Sequence, residues 1–109
     1  MRKPADTSVD LHPVLAERWS SRAYDPSATF GADDLTAILE AGRWAPSAMN
    51  GQPWRFIVAH RGDKAFARVL STLSGFNQVW TPNAIVYVAV LARMTNDDGT
   101  PRETALYDV

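Results

Sequence analysis

The sequence predicts a layered α+β fold in which helices flank a small central sheet. Apolar residues recur at helical spacing in segments 10–19, 32–45 and 64–73. Residues 54–60 alternate between two faces and residues 84–92 are apolar at almost every position, so both are expected to be strands. A sheet of two strands is marginal alone in water. We therefore expect further strands from a longer protein or from a second chain.

The first two helices are indicated by their end signals as well as by spacing. The first is predicted to begin near Asp10, with Pro13 in the first turn, where a missing backbone N–H costs little. The second opens at Gly31 or Ala32 and ends by Ala45, because the proline that follows disfavours helical geometry before it. Its apolar face is predicted to consist of Leu35, Ile38, Leu39 and Gly42.

The first strand and the third helix are predicted to be joined by a tight turn. One face of the strand should carry Trp54, Phe56 and Val58. The sequence Arg61-Gly62-Asp63 is expected to form the turn, with Asp63 at the N-cap of the helix. That helix is predicted to span Lys64–Leu73, with Gly75 as its C-terminal stop.

The remaining segments are predicted to be a loop, a strand, a second loop and the start of a helix. Residues 76–83 are expected to form a loop or a short helical turn. Residues 84–92 are predicted to be a central strand covered on both faces. Residues 95–103 should form a surface loop, and Thr104 should cap the start of another helix.

Composition and charge narrow the class of protein. A formal net charge of −1 provides no field that would attract nucleic acid or an anionic membrane. The chain has no cysteine, which excludes disulfides, thiolate metal sites and cysteine nucleophiles. The N-terminus has no secretory signal, and the longest apolar run is far shorter than the ~20 residues of a membrane span. We expect residues 1–9 to be a flexible leader and the protein to be cytoplasmic.

A first candidate site lies in the sequence "RWSSR". Arg18, Ser20 and Arg22 stand at alternate positions, so an extended segment would project all three to one side. Two guanidinium groups with a hydroxyl between them suit a phosphate. The alternative is a solvated basic turn that pairs with Glu17 or Asp25.

A second candidate site is the stretch "WAPSAMNGQPWRF". Ser47, Asn50 and Gln52 provide hydrogen-bonding groups there, and apolar walls would come from Pro46, Met49 and Trp54. A flat heteroaromatic ring with polar edges needs that combination. The alternative is a helix-to-strand connection whose amides bond their own backbone. His12 and His60 lack metal-ligand spacing and are interpreted as structural or solvated.

Together these segments resemble the nitroreductase family, flavin enzymes that bind FMN at a homodimer interface. The resemblance covers nearly all of residues 10–109. It rests on "RWSSR", "DDLTAILEAGRWAPS", "PSAMNGQPWRFIV", "FNQVWTPNAIVYVAV" and "ALYDV". It implies a nitroreductase-like fold with a central sheet flanked by helices. Because family members are considerably longer, residues 10–109 are expected to be the N-terminal portion of the FMN-binding domain.

The resemblance also implies roles for individual residues. The FMN phosphate and ribityl chain would be held by Arg18, Ser20 and Arg22. The isoalloxazine ring would be faced from the other subunit by Pro46, Ser47 and Asn50, with Gln52 as a neighbour. Asn77 would reach the pyrimidine side of the ring. The large aromatic side chains Trp19, Trp44, Trp54 and Trp80 are assigned mainly to packing.

The implied function is an FMN-dependent oxidoreductase. Hydride from NADH or NADPH would pass through the flavin to a nitroaromatic, a quinone or a similar small acceptor. One alternative is a truncated, non-catalytic dimerisation or interaction module of the same fold. A further alternative uses the arginines and tryptophans as a stacking platform for single-stranded nucleic acid, but the net charge of −1 speaks against it.

Overall fold

The computed structural model describes residues 4–109 and has the predicted α+β class, with helices around a two-stranded sheet. The elements are α1 (Pro13–Glu17), α2 (Ala32–Arg43), β1 (Trp54–His60), α3 (Lys64–Thr72), α4 (Asn77–Trp80) and β2 (Val86–Ala92). Short 3-10 turns occupy Ala48–Asn50 and Thr81–Asn83. No helix of the described part is long and apolar enough to cross a membrane. Residues 1–3 of the predicted leader lie outside the described residues.

The two strands pair antiparallel over their full length. Trp54 lies opposite Ala92, and His60 lies opposite Val86. The pairing extends one step further at each end, because the Arg93 N–H donates to the carbonyl of the residue before β1 at 2.8 Å and the Arg61 N–H donates to the carbonyl before β2 at 2.8 Å. The chain therefore enters β1 and leaves β2 at one end of the sheet, the Trp54 end. It leaves β1 and enters β2 at the other, the His60 end.

Helices lie on both faces of this sheet. On one face, the Phe66 ring of α3 stacks on Tyr87 of β2 with centroids 4.2 Å apart, next to the fully buried Ala59. On the other face, Gly42 of α2 approaches Phe56 so closely that an added Cβ would lie 3.0 Å from the ring tip. Ala59 and Phe56 lie on opposite faces because successive strand positions alternate.

The prediction that residues 84–92 form a strand covered on both faces is wrong for this chain. Val90 is 50% exposed and Leu91 46% exposed. Both residues lie near the end of β2 that pairs with the start of β1, where the helices of residues 4–109 leave part of each face uncovered. Ile38, placed by its spacing on the buried face of α2, is likewise half exposed, whereas Leu35 and Leu39 are half-buried as predicted.

Several helix ends differ from the prediction. The structure confirms Pro13 in the first turn of α1, but the helix has only five residues and begins after His12, whose Nδ1 accepts from the Val14 N–H. Helix α3 ends at Thr72, because Leu73 takes an extended conformation before Gly75 is reached. The predicted helix after Thr104 is a single turn, whose Tyr107 and Asp108 N–H groups donate to the Thr104 carbonyl. The Thr104 hydroxyl donates to a carboxylate instead of capping a helix.

Two tryptophan side chains pack as predicted, and a third is exposed. Trp54 is 8% exposed, and the half-buried Trp80 packs on Tyr24 with centroids 5.5 Å apart, as predicted. Trp44 is 75% exposed, so its assignment to packing is wrong. It follows the last residue of α2, and the Arg43 guanidinium lies 5.1 Å from its ring centroid. The same guanidinium donates two hydrogen bonds to Glu40, which lower the pKa of that carboxyl.

Contact between α2 and β1 gives a prediction for Gly42. Replacing it by leucine should lower the free energy of unfolding by about 1–3 kcal/mol, because the new side chain meets the Phe56 ring. Ala41→Leu is the matched control, since Ala41 is exposed on the same helix and leucine is a good helix former. Urea unfolding measures both. Equal effects of the two variants would contradict the packing of α2 on β1.

Candidate functional site

The first part of the candidate site is a loop, residues 46–52, which we call the amide loop. Three of its residues have a positive φ although none is glycine: Met49 at 53°, Asn50 at 51° and Gln52 at 42°. Such backbone conformations are sterically unfavourable for residues with a Cβ. They persist only where the surrounding structure holds them. The amide loop therefore has a specific, enforced shape.

Hydrogen bonds within the amide loop orient its polar side chains. The Ser47 Oγ accepts from the Gln52 N–H at 3.0 Å, and the Asn50 Oδ1 accepts from the Gln52 Nε2 at 2.9 Å. The alternative in which the loop bonds its own backbone is thus partly realised. Among residues 4–109, however, no hydrogen bond uses the Asn50 Nδ2 or the Gln52 Oε1. One side-chain amide donor group and one acceptor remain available to a ligand.

Most residues of the amide loop are exposed, whereas Trp54, which follows the loop, is buried. Met49 is fully exposed, and Pro46, Asn50 and Gln52 are exposed as well. Trp54, predicted as an apolar wall, is instead buried at the start of β1, so that part of the prediction is wrong. The physical reason is that Trp54 is the first residue of the strand and its side chain points into the sheet packing.

The second part of the candidate site is the arginine segment, residues 18–22. Its backbone is extended at Arg18, as predicted. Ser20 and Arg22 line an open cleft of about 370 Å³ together with Trp19 and Ala23. Within the described part of the chain, the Arg18 guanidinium and the Ser20 hydroxyl have no hydrogen-bond partner. Both groups are therefore available to an anion.

The alternative of a self-paired basic turn is not observed among residues 4–109. The Asp25 carboxylate accepts hydrogen bonds from the Ser27 hydroxyl at 2.6 Å and the Ser27 N–H at 2.8 Å. These two bonds, the hydroxyl first, lower the pKa of Asp25. The Arg22 guanidinium lies 5.4 Å from the ring centroid of Phe76. Phe76 directly precedes Asn77, the first residue of α4.

The two parts lie at opposite ends of the sheet. The segment after Arg22 is held at the His60 end, because the Arg61 Nη2 donates to the Pro26 carbonyl at 2.9 Å. Helix α4 is held there as well, since the Tyr87 hydroxyl donates to the Thr81 carbonyl at 2.8 Å. The amide loop leads into the Trp54 end. Strands of this length separate the two ends by about 20 Å.

Two functional candidates were missed by the sequence analysis. The Arg102 Nη1 donates to the Gly51 carbonyl, and the Asp108 Oδ1 accepts from the Ala48 N–H at 3.1 Å. Both side chains contact the amide loop although they are more than fifty positions away in sequence. No spacing pattern marks them. Only the antiparallel register, which brings the start of β1 next to the end of β2, could have indicated their proximity.

Metal chemistry has no support in the described residues. Among residues 4–109, no group of three or more histidine, aspartate or glutamate side chains is placed to hold a metal ion. His12 has a structural role, since its Nδ1 accepts a hydrogen bond at the start of α1. His60 is exposed at the end of β1.

Comparison with known sequences identifies relatives of this arrangement. The sequence profile of the Nitroreductase family matches residues 15–102. The oxygen-insensitive NAD(P)H nitroreductase of Salmonella typhimurium is 33% identical over 93 residues, which cover 83% of this chain and 42% of the relative. The major NAD(P)H-flavin oxidoreductase of Aliivibrio fischeri is 37% identical over 75 residues, covering 66% of this chain and 34% of that protein.

Comparison with solved structures agrees with the sequence relationship. A crystal structure described as an oxidoreductase containing FMN superposes with a TM-score of 0.83 at 34% identity, over 94% of this chain and 54% of that chain. A Desulfovibrio desulfuricans protein in complex with FMN superposes with a TM-score of 0.64 at 30% identity, over 83% and 54% of the two chains. The chain thus spans less than half the length of these curated relatives and about half that of the solved ones.

The backbone of the amide loop can be tested at Met49. Because its side chain is fully exposed, a substitution there changes backbone preference and little else. Met49→Val should lower the free energy of unfolding by about 1 kcal/mol, since a β-branched residue is disfavoured at positive φ. Met49→Gly should raise it by up to about 1 kcal/mol. Chemical denaturation measures the free energy of unfolding of both variants. A valine variant more stable than the unmodified protein would contradict the left-handed conformation.

Proposed function

The chain belongs to the nitroreductase family, and from this premise we propose that it acts in an FMN-dependent oxidoreductase that uses NADH or NADPH. Residues 10–109 form, in this proposal, the N-terminal portion of the FMN-binding domain. The amide loop is the observation that carries it. Its enforced backbone leaves polar groups of Asn50 and Gln52 unpaired at an exposed rim, and such groups suit the polar edge of a flavin ring.

The arginine segment fits the other end of FMN. Arg18 and Ser20 have no competing partner in the described part of the chain, and Ser20 and Arg22 share one open cleft. Guanidinium groups bind phosphate oxygens through short, charge-assisted hydrogen bonds. A chain with a net charge of −1 needs such a local site to hold an anionic cofactor. Asn77, next to the ring that Arg22 covers, is proposed to contact the pyrimidine side of the flavin.

Flavin chemistry explains why few side chains of this chain are needed as acids or bases. FMN, when bound, would supply the hydride and electron transfer between NADH or NADPH and the acceptor. Arg18 and Arg22 bind and neutralise the phosphate. Ser47, Asn50 and Gln52 would orient the ring by bonding its edge, and the exposed side chain of Met49 would provide an apolar surface beside it.

The distance between the two parts supports a homodimer. One copy places its arginine segment and its amide loop at opposite ends of a sheet that is about 20 Å long, so a phosphate held by the first leaves the ring far from the second in the same copy. In a symmetric dimer, the arginine segment of one copy meets the amide loop of its partner, and two equivalent sites form. The half-exposed Val90, Leu91 and Ile38 leave apolar surface for contacts of this kind.

The proposal also covers the electron acceptor and the cellular location of the protein. The relative from Salmonella is named a nitroreductase, which supports a nitroaromatic compound as the acceptor. The relative from Aliivibrio is named an NAD(P)H-flavin oxidoreductase, which supports the use of NADH or NADPH, and a quinone or a similar small acceptor stays a prediction. A cytoplasmic location stays a prediction, and a chain without cysteine is compatible with a reducing compartment.

The phosphate assignment can be tested with two ligands that differ only in the phosphate. Arg18→Ala combined with Arg22→Ala should weaken FMN binding by at least about a hundredfold, since a hydrogen bond to a charged group contributes about 1.5–3 kcal/mol. Riboflavin, which lacks the phosphate, should bind the variant and the unmodified protein almost equally. Flavin fluorescence titration measures both affinities.

Arg68→Ala is the matched control, because Arg68 is an exposed arginine on α3 beside a different cleft. It should change neither affinity. An equal loss of FMN and riboflavin binding in the double variant would contradict the phosphate role. If the unmodified protein stays colourless and does not bind FMN, the proposed function fails and the non-catalytic interaction module is favoured.

A further inference from the structure

The amide loop is held at both ends by side chains from residues 102–108. At the Gly51 end, the Arg102 Nη1 donates to a backbone carbonyl. At the Ala48 end, the Asp108 Oδ1 accepts from a backbone N–H at 3.1 Å. Each bond pairs a charged group with a backbone group, and such bonds are stronger than neutral ones. Residues 102–108 therefore hold the backbone of the amide loop through hydrogen bonds from outside it.

Gly51 is shaped to receive the Arg102 guanidinium. A Cβ at position 51 would lie 2.5 Å from the Arg102 Nη1, a distance that no real Cβ contact allows. The φ of Gly51 is −72°, so its backbone does not require glycine. A side chain at this position would displace the Arg102 guanidinium or press on the Ala48 carbonyl oxygen, which lies 3.1 Å from the same Cβ position. The loop and the arginine fit each other.

Arg102 itself is held in place by its own backbone. Its N–H donates to the Met94 carbonyl at 2.8 Å, and its carbonyl accepts from Ala105, which is fully buried. Its Nε is buried without a hydrogen-bond partner among the described residues. A buried unpaired donor is unfavourable for stability. We therefore expect Arg102 to affect the position of the amide loop more than the overall stability of the fold.

We propose that Arg102 and Asp108 are positioning residues for the flavin-binding loop. They hold the backbone between Ala48 and Gly51 in the left-handed conformation, so that Ser47, Asn50 and Gln52 present their polar groups at a fixed spacing. Neither residue touches the cofactor in this proposal. The inference rests on the proposed function, because the loop must bind FMN for its positioning to affect cofactor affinity.

Two pairs of variants test the proposal on the FMN-loaded protein. Arg102→Met and Asp108→Ala should each raise the Kd for FMN about tenfold, as expected for one lost charge-assisted bond. Arg102→Lys and Asp108→Asn should recover most of the affinity, since both retain a group that can make the bond. The controls are Arg93→Met and Asp97→Ala, whose side chains pair with each other and not with the loop. Unchanged affinity in the first two variants would overturn the proposal.

A double-mutant cycle separates positioning from general damage. Asn50→Ala removes a proposed flavin contact, and the second substitution is Arg102→Met. If Arg102 acts through the loop, the combined loss of FMN affinity is smaller than the product of the two single losses. If Arg102 only supports overall stability, the fold-changes multiply. Multiplying fold-changes would therefore exclude the positioning role.

Hydrogen exchange gives a readout that does not need FMN. The N–H groups of Gly51 and Gln52 both bond within the loop, to the Ala48 carbonyl and the Ser47 Oγ. In the cofactor-free protein, Arg102→Met should accelerate their exchange about tenfold, and Arg93→Met should leave it unchanged. Failure of FMN binding with accelerated exchange would refute the proposed function but keep the loop assignment. Unchanged exchange would refute the inference whatever the flavin result.

Discussion

The antiparallel pairing of β1 with β2 is the constraint on which the rest of the structure depends. Its register places Trp54 opposite Ala92 and His60 opposite Val86, and thereby decides which loops become neighbours. The amide loop meets residues 93–108 at one end of the sheet. The arginine segment and α4 gather at the other end, tied there by Arg61 and Tyr87. A parallel arrangement of the same strands would have exchanged these neighbours.

The shape of the amide loop illustrates how local strain and long-range contacts combine. Three non-glycine residues adopt positive φ in a stretch of four positions, which the loop would not maintain in isolation. Hydrogen bonds from Gln52 to the Ser47 and Asn50 oxygens hold it from within, and Arg102 and Asp108 hold it from outside. The result is a group of polar side chains with fixed positions. Such preorganisation is what an orienting site for a planar cofactor requires.

The sequence predicted α2, β1 and the start of α3 well, because each has strong local signals such as Pro46 after a helix and Asp63 before one. It also indicated the extended backbone at Arg18, whereas the cofactor-binding roles of both candidate segments stay predictions. It failed where tertiary context decides: Gly75 does not end α3, Trp44 is exposed, and β2 is covered only in part. The sequence could not predict the contacts of Arg102 and Asp108, since strand pairing brings together positions that share no local pattern. Exposure of β2 likewise depends on how much of each face the helices cover, and tertiary packing decides that.

Complementation between two defective copies tests the central claim, that each flavin site combines the arginine segment of one copy with the amide loop of another. One protein carries Arg18→Ala and Arg22→Ala, and the other carries Asn50→Ala and Gln52→Ala. Each binds FMN poorly alone. After they are unfolded and refolded together, a shared site predicts recovery of tight FMN binding at about a quarter of all sites, since half of the dimers are mixed and each has one intact site. No recovery, although mixed dimers form, would contradict the account.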